Sequence, residues 1–283
     1  MIYEHEIPSG SRIYFGKSAK LKRFIEDSAS EVLSKEGYEE IVTPYFSYHQ
    51  HDFIEEKELV RCSDEKNHLL TLRADSTLDV VRLITKRLGR STKHKKWFYI
   101  QPVFKYPSLE YYQIGGEWIE GEDLKPVIAV VEKILNKLSL KPLLQISNIN
   151  IPKIISENYD VNIDIFKKAC IEEILKLDIK WLRKLLFLQT IEQMDEVLEV
   201  LPDILRGEVL KMKELYENLS YENTVFAPLF YSPMRYYDEL FFRLISGNRV
   251  LGKGGSYKIE GLNAVGFGIY TDNVIEELMS KGG

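Results

Sequence analysis

Apolar residues recur at helical spacing over 20–35, where Leu21, Phe24, Ile25, Ala29, Val32 and Leu33 follow the i, i+3, i+4 pattern, and Gly37 stands at a helix C-cap position. The period then changes. YEEIVTPYF (38–46) reads as a strand that Pro44 interrupts or ends. HLLTLRADST (68–77) reads as a second strand running into a helix, TLDVVRLITKRL (77–88). WFYIQPV (97–103), aromatic and β-branched, and YYQIGGEWI (111–119) predict a hairpin closed by a short turn. That hairpin carries Lys105 on one side of its turn, and Gln113 and Glu117 four apart on the other.

Beyond about 125 the pattern becomes mostly helical. PVIAVVEKILNKL (126–138) is a helix and PLLQISNI (142–149) a short strand, and Leu, Ile, Glu and Lys dominate 151–219 with helical periodicity. Strand patterns return at NTVFAPLFY (223–231), ELFFRLISG (239–247) and AVGFGIYT (264–271), before a last helix, DNVIEELMS (272–280). An antiparallel sheet interrupted by helices and then resumed predicts an α+β architecture. The expected division is a core from 1–150 and 221–283, with a helical insertion over 151–220.

The composition excludes several function classes. At 283 residues, with 45% hydrophobic and 29% charged residues, the chain has the make-up of a globular protein with a large core. No run approaches the roughly 18 apolar residues of a membrane span, and MIYEHEIPSGSR resembles neither a signal nor a transit peptide, so a cytoplasmic location is expected. Cys62 and Cys170 lie far apart in unlike contexts and read as free thiols. A net charge of −5 argues against a large nucleic-acid face.

Most candidate chemistry reads as ordinary structure. His49 and His51 have no cysteine nearby and read as exposed polar residues; no metal or cofactor is expected. The basic run Lys86, Arg87, Arg90, Lys93, Lys95 and Lys96 suits the C-terminal end of a helix. GKGGSY (252–257) lacks the Gly-Lys-Ser/Thr ending of a phosphate loop and reads as a turn between strands. What remains is Asp75, Thr77, Gln113, Glu117, Tyr236, Tyr237 and Tyr257, on or beside predicted strands. Inward carboxylates are costly without a cation or ligand, so together these residues suggest a pocket for a small zwitterion or cation.

The order of segments resembles the catalytic domain of class II histidyl-tRNA synthetase. GYEEIVTPYF is similar to the first class motif, LRADST to L-R-P-E-G-T, and WFYIQPVFKYPSLEYYQIGGEWI to the second motif. YYDELFF, GKGGSYKIEGL and AVGFGIYTDNV are similar to the tyrosine, glycine-rich and third-motif elements. The departures fall on nucleotide activation. Lys105 stands at the arginine that holds the α-phosphate, Pro107 at the following Glu, Ser232 at the Arg of R-G-L-D-Y-Y and Asn273 at the third-motif Arg. Lysine cannot copy the planar fork of arginine. The second-motif loop is also shorter than in the synthetases, and no anticodon-binding domain is expected.

The amino-acid side is retained. The resemblance implies that Asp75 replaces the Glu that meets the substrate ammonium, with Thr77 beside it. It implies that Gln113 and Glu117 are ligand residues, and that Tyr236, Tyr237 and Tyr257 line the histidine side-chain pocket. A chain that binds histidine without activating it resembles the regulatory subunits of ATP phosphoribosyltransferase. That family implies no catalytic residues, L-histidine as effector, a homodimer core and a hetero-octamer with a short-form catalytic subunit, without tRNA or membrane. The alternative is a synthetase-like enzyme activating an amino acid for a non-tRNA or unusual acceptor.

Overall fold

The computed structural model describes residues 6–48, 54–232, 236–259 and 261–281. In chain order the elements begin with α1 (Gly16–Lys35), β1 (Glu39–Glu40), β2 (Phe46–Ser47), β3 (Arg61–Ser63), β4 (Leu69–Leu72) and α2 (Ser76–Leu83). There follow β5 (Lys96–Lys105), β6 (Leu109–Ile119), α3 (Leu124–Lys137) and β7 (Leu143–Asn148). Six short helices come next: α4 (Asn150–Asn158), α5 (Ile163–Lys167), α6 (Ile171–Lys176), α7 (Lys180–Leu186), α8 (Met194–Val200) and α9 (Asp203–Glu217). The chain continues with β8 (Thr224–Phe226), β9 (Tyr237–Ser246), β10 (Arg249–Ile259), β11 (Leu262–Tyr270) and α10 (Thr271–Lys281). It divides into two compact units, one of 1–120 with 267–283, the other of 121–266.

In the first unit, α1 buries a stripe of Ile25, Ala29 and Leu33 at four-residue spacing. It ends where expected: Gly37 takes a left-handed φ of +79°, and the Tyr38 N–H reaches back to the Leu33 carbonyl at 3.0 Å. β5 and β6 pair antiparallel from Lys96↔Trp118 to Lys105↔Leu109, closing through Tyr106, Pro107 and Ser108. β1 lies parallel to β5, so this sheet is not wholly antiparallel. A small antiparallel sheet of β2, β4 and β3 packs separately, with Pro44 lying between β1 and β2. The predicted helix over 77–88 is α-helical only to Leu83; Ile84–Leu88 widens into a π-helical turn.

In the second unit, β7 pairs antiparallel with β9 and parallel with β8, and β9 pairs antiparallel with β10. Helix α3 opens on an Asp123 cap that accepts from the Lys125 N–H at 2.8 Å, and buries Val127, Val131, Ile134 and Leu135. The helical stretch predicted over 151–219 is the set α4–α9, each contributing one or a few buried apolar residues such as Ile155, Phe166, Leu182, Met194 and Leu205.

The glycine-rich segment 252–257 is a strand, not a turn. It lies wholly within β10, in register with β9 from Gly252↔Leu244 to Gly255↔Phe241, with irregularities before Gly252 and Tyr257. The glycines are there for space. A Cβ on Gly254 would meet the Gly266 carbonyl oxygen at 2.5 Å and Phe242 Cε1 at 2.6 Å; one on Gly255 would meet Phe241 Cβ at 2.6 Å.

Candidate ligand-binding site

The register of β5 and β6 sets Trp97 opposite Glu117, Tyr99 opposite Gly115 and Gln101 opposite Gln113. Directly opposed residues share a face, so Tyr99, Gln101, Gln113 and Glu117 form one polar file. Helix α2 lies against both strands. Asp75 caps it, accepting from the Leu78 N–H at 3.1 Å, and Thr77 sits in its first turn.

Thr77 Oγ1 donates to Glu117 Oε1 at 2.7 Å. The Tyr99 hydroxyl lies 3.3 Å from Thr77 Oγ1 and 3.4 Å from Glu117 Oε1. Glu117 is 1% exposed, a depth at which a carboxylate needs such donors, while Gln113 is half-buried. Burial first, then the charges of Glu117 and Asp75, push the Tyr99 phenol well above its ordinary range, so it stays protonated. Tyr38 is raised in the same direction by burial and then by Glu117.

Tyr99 escapes notice in the sequence because aromatic residues in an alternating strand read as core. The signal that could have found it is the Gly115–Gly116 pair in the facing strand. A Cβ on Gly115 would collide with the Tyr99 ring and hydroxyl, and one on Gly116 would lie 2.7 Å from Phe267 Cε1. Gln101, next along the same face, is buried and bonded within the chain. Its amide bridges Thr43 Oγ1 and Ser76 Oγ at 3.1 Å each. Arg73 of LRADST is 1% exposed and clamps the main chain, donating to the Pro102 and Thr43 carbonyls at 2.8 Å each.

Lys105 forms an ion pair with Glu58, Nζ to Oε2 at 2.7 Å, beside a Tyr106 N–H bond to the Glu58 carbonyl at 2.8 Å. The cation at the position of the synthetase phosphate-gripping arginine is thus held by an acid of its own chain. Pro107 lies in the hairpin turn, Asn273 in the first turn of α10, and Ser232 is buried.

The second unit places the three tyrosines together. Tyr237 and Tyr257 are cross-strand partners, and the Tyr236 ring packs edge-on to both, with centroids at 5.4 and 5.6 Å. All three are buried, and Tyr237 stacks on Phe241 at 5.5 Å. Farther along β9, Arg243 was not anticipated. Its guanidinium lies 3.6 Å from the Phe230 ring centroid, its Nη2 donates to Gln145 Oε1 at 2.6 Å, and its buried Nε has no hydrogen-bond partner among the described residues.

Among the described residues no group of three or more His, Cys, Asp or Glu side chains is arranged to hold a metal ion, and no helix is long and apolar enough to cross a membrane. His49 and His51 lie outside the described residues. Cys62 and Cys170 are free thiols.

The sequence matches the histidyl-tRNA synthetase family over residues 15–274. It is 47% identical over 281 residues to the ATP phosphoribosyltransferase regulatory subunit of Wolinella succinogenes, covering 99% of this chain and 98% of that one. It is 44% identical over 282 residues to the protein of the same name from Helicobacter hepaticus, covering 99% of this chain and 100% of the relative. In three dimensions it superposes on a Bacillus halodurans C structure described as an ATP phosphoribosyltransferase regulatory subunit/histidyl-tRNA synthetase. The TM-score is 0.86 at 22% identity, covering 98% of this chain and 84% of the other, a likeness of fold. The chain belongs to the ATP phosphoribosyltransferase regulatory subunits, a family built on the histidyl-tRNA synthetase fold.

Proposed function

We propose that this chain is a non-catalytic subunit that activates a short-form ATP phosphoribosyltransferase in the cytoplasm and carries feedback inhibition by L-histidine. The observation that carries the reading is a contrast between the two ends of the β5–β6 hairpin and the residues that meet each of them. Thr77 and Glu117 are joined, with Asp75 capping the helix that carries Thr77, while Lys105, at the phosphate-gripping position, is paired with Glu58. The Lys105–Glu58 pair is half-exposed and weak, so what counts is side-chain chemistry: lysine lacks the bidentate geometry with which arginine grips a phosphate. A protonated amine, in contrast, suits these oxygens, of which the Glu117 carboxylate is buried and those of Asp75 and Thr77 half-buried.

In this reading Asp75, Thr77, Gln113 and Glu117 are histidine-binding residues. Tyr236, Tyr237 and Tyr257 are assigned to recognition of the imidazole on the family resemblance. The proposed assembly is a hetero-octamer with the catalytic subunit, organised on homodimers of this chain and without tRNA. The core division at 1–150, 151–220 and 221–283 is retained as a proposal for how the synthetase-like frame accommodates its helical segment.

Two assays on the purified chain test the reading. Calorimetry should show L-histidine binding, and histidine-dependent exchange of pyrophosphate into ATP should stay at the protein-free background. Exchange above that background would favour an amino-acid-activating enzyme instead.

A further inference from the structure

The histidine reading leaves one member of the polar cluster without a role. Tyr99 is 1% exposed, and its ring fills the space that Gly115 leaves open across the strand pair. A strand glycine weakens the strand that holds it, so the Gly115–Tyr99 pairing brings the phenol beside Glu117 at some cost to the sheet. Thr77 and Tyr99 both converge on one carboxylate oxygen, Glu117 Oε1, at 2.7 and 3.4 Å, and their own oxygens are 3.3 Å apart. The bond from Thr77 and the Tyr99 hydroxyl beside it both bear on Oε1, which restricts how the carboxylate can turn and with it the direction of Oε2.

The proton inventory sharpens this. A threonine hydroxyl has one proton, and here it goes to Glu117; what Thr77 has left to offer is lone pairs. Tyr99 also has one proton, and whether it lies toward Thr77 or toward Glu117, it ends on an oxygen of the same pair. Asp75, the neighbouring carboxylate, is acceptor-only when ionised.

We propose that Tyr99 is a positioning residue that acts through Glu117, holding the carboxylate and Thr77 so that both meet a ligand as acceptors and select the protonated, donor-rich groups of an amino acid. This rests on the histidine reading above. The phenol keeps its proton because burial and the neighbouring carboxylates disfavour the phenolate, so it serves as a donor at any pH at which the protein works.

A double-mutant cycle separates this role from simple packing. L-Histidine affinity is measured by calorimetry for the wild type, Tyr99→Phe, Glu117→Gln and the double variant, with circular dichroism as the check on folding. Tyr99→Phe alone should weaken binding by about tenfold, the lower end for a bond to a charged group because 3.4 Å is long. In the Glu117→Gln background the same change should cost no more than about twofold, since the acceptor it orients has lost its charge. Equal weakening in both backgrounds, or none in either, would overturn the positioning role while leaving the histidine reading intact. A wild type that does not bind L-histidine would overturn both. Should Tyr99→Phe fail to fold, 4-fluorophenylalanine at position 99 keeps a para substituent on the ring but has no proton to donate, and the same comparison decides.

Discussion

Thr77 Oγ1 and Glu117 Oε1 lie 2.7 Å apart although forty positions separate them in sequence, so the first turn of α2 and the far end of β6 form one polar unit. Removing the carboxylate should therefore remove ligand affinity without disturbing the strands. Glu117→Ala is expected to weaken L-histidine binding by roughly 10- to 150-fold, corresponding to about 1.5–3 kcal/mol for a charge-assisted bond. Its circular dichroism and its size by gel filtration should match the wild type. Wild-type affinity in this variant would place the ligand elsewhere.

The close packing around β10 makes a stability prediction. Gly254→Ala forces a Cβ against the Gly266 carbonyl oxygen and the Phe242 ring, and should destabilise the protein by about 1–3 kcal/mol in urea unfolding. Gly207, within α9, has nothing near its Cβ position, so Gly207→Ala should instead stabilise by about 0.4–1 kcal/mol. Equal and small effects at both positions would show that β10 is not held as described.

Tyr257 is a cross-strand partner of Tyr237 and 3% exposed, so a large truncation there disturbs packing as well as function. Truncation to alanine should cost about 3–5 kcal/mol through the cavity it leaves, so a loss of function in that variant would be uninformative. Tyr257→Phe keeps the ring. It is expected to shift histidine inhibition of the reconstituted complex to higher histidine while leaving assembly and activation unchanged. An unmoved inhibition curve would rule out a sensing role for the hydroxyl.

Asp272 gives a pH dependence with a definite sign. It is buried at the start of α10, accepting from the Tyr14 hydroxyl and, at 3.2 Å, from the Tyr112 N–H. Burial raises its carboxyl above the ordinary 3.8, against the lowering effects of the Tyr112 N–H and Arg12. The folded state thus binds this proton more tightly than the unfolded state. The stability it contributes is fully present below about 3.8 and is lost as pH rises through the raised folded value. Asp272→Asn, which has no such charge to bury, should gain stability over the wild type at pH 7, with the gain shrinking toward pH 4. A difference that stays constant between the two pH values would contradict this.

Local periodicity was enough to read α1 with its Gly37 terminus, the β5–β6 hairpin, α3 and the closing helix α10, because each is specified by its own residues. What it missed depends on distant neighbours. Strands are expected over 38–46 and 223–231, but nothing in the two or three residues of β1 and β8 announces that they run parallel to partners far along the chain. The GKGGSY segment reads as a turn because glycines usually mark flexibility; here they mark the crowding of Phe241, Phe242 and Gly266. At the candidate site, Asp75, Thr77, Gln113 and Glu117 remain a proposed set drawn from the sequence and its family resemblance, of which the structure joins Thr77 directly to Glu117. The parts that explain their arrangement, Tyr99 across from Gly115 and Glu58 holding Lys105 from 47 positions away, required the fold.

The most direct measurement is the activity of the short-form catalytic subunit, assayed alone and with this chain across a titration of L-histidine. The regulatory reading predicts that adding the chain raises activity, that histidine lowers it again in a saturable way, and that Glu117→Ala preserves the activation but moves the inhibition to higher histidine. Activity that is the same with and without the chain, or inhibition of the wild-type and Glu117→Ala complexes at the same histidine concentration, would contradict it.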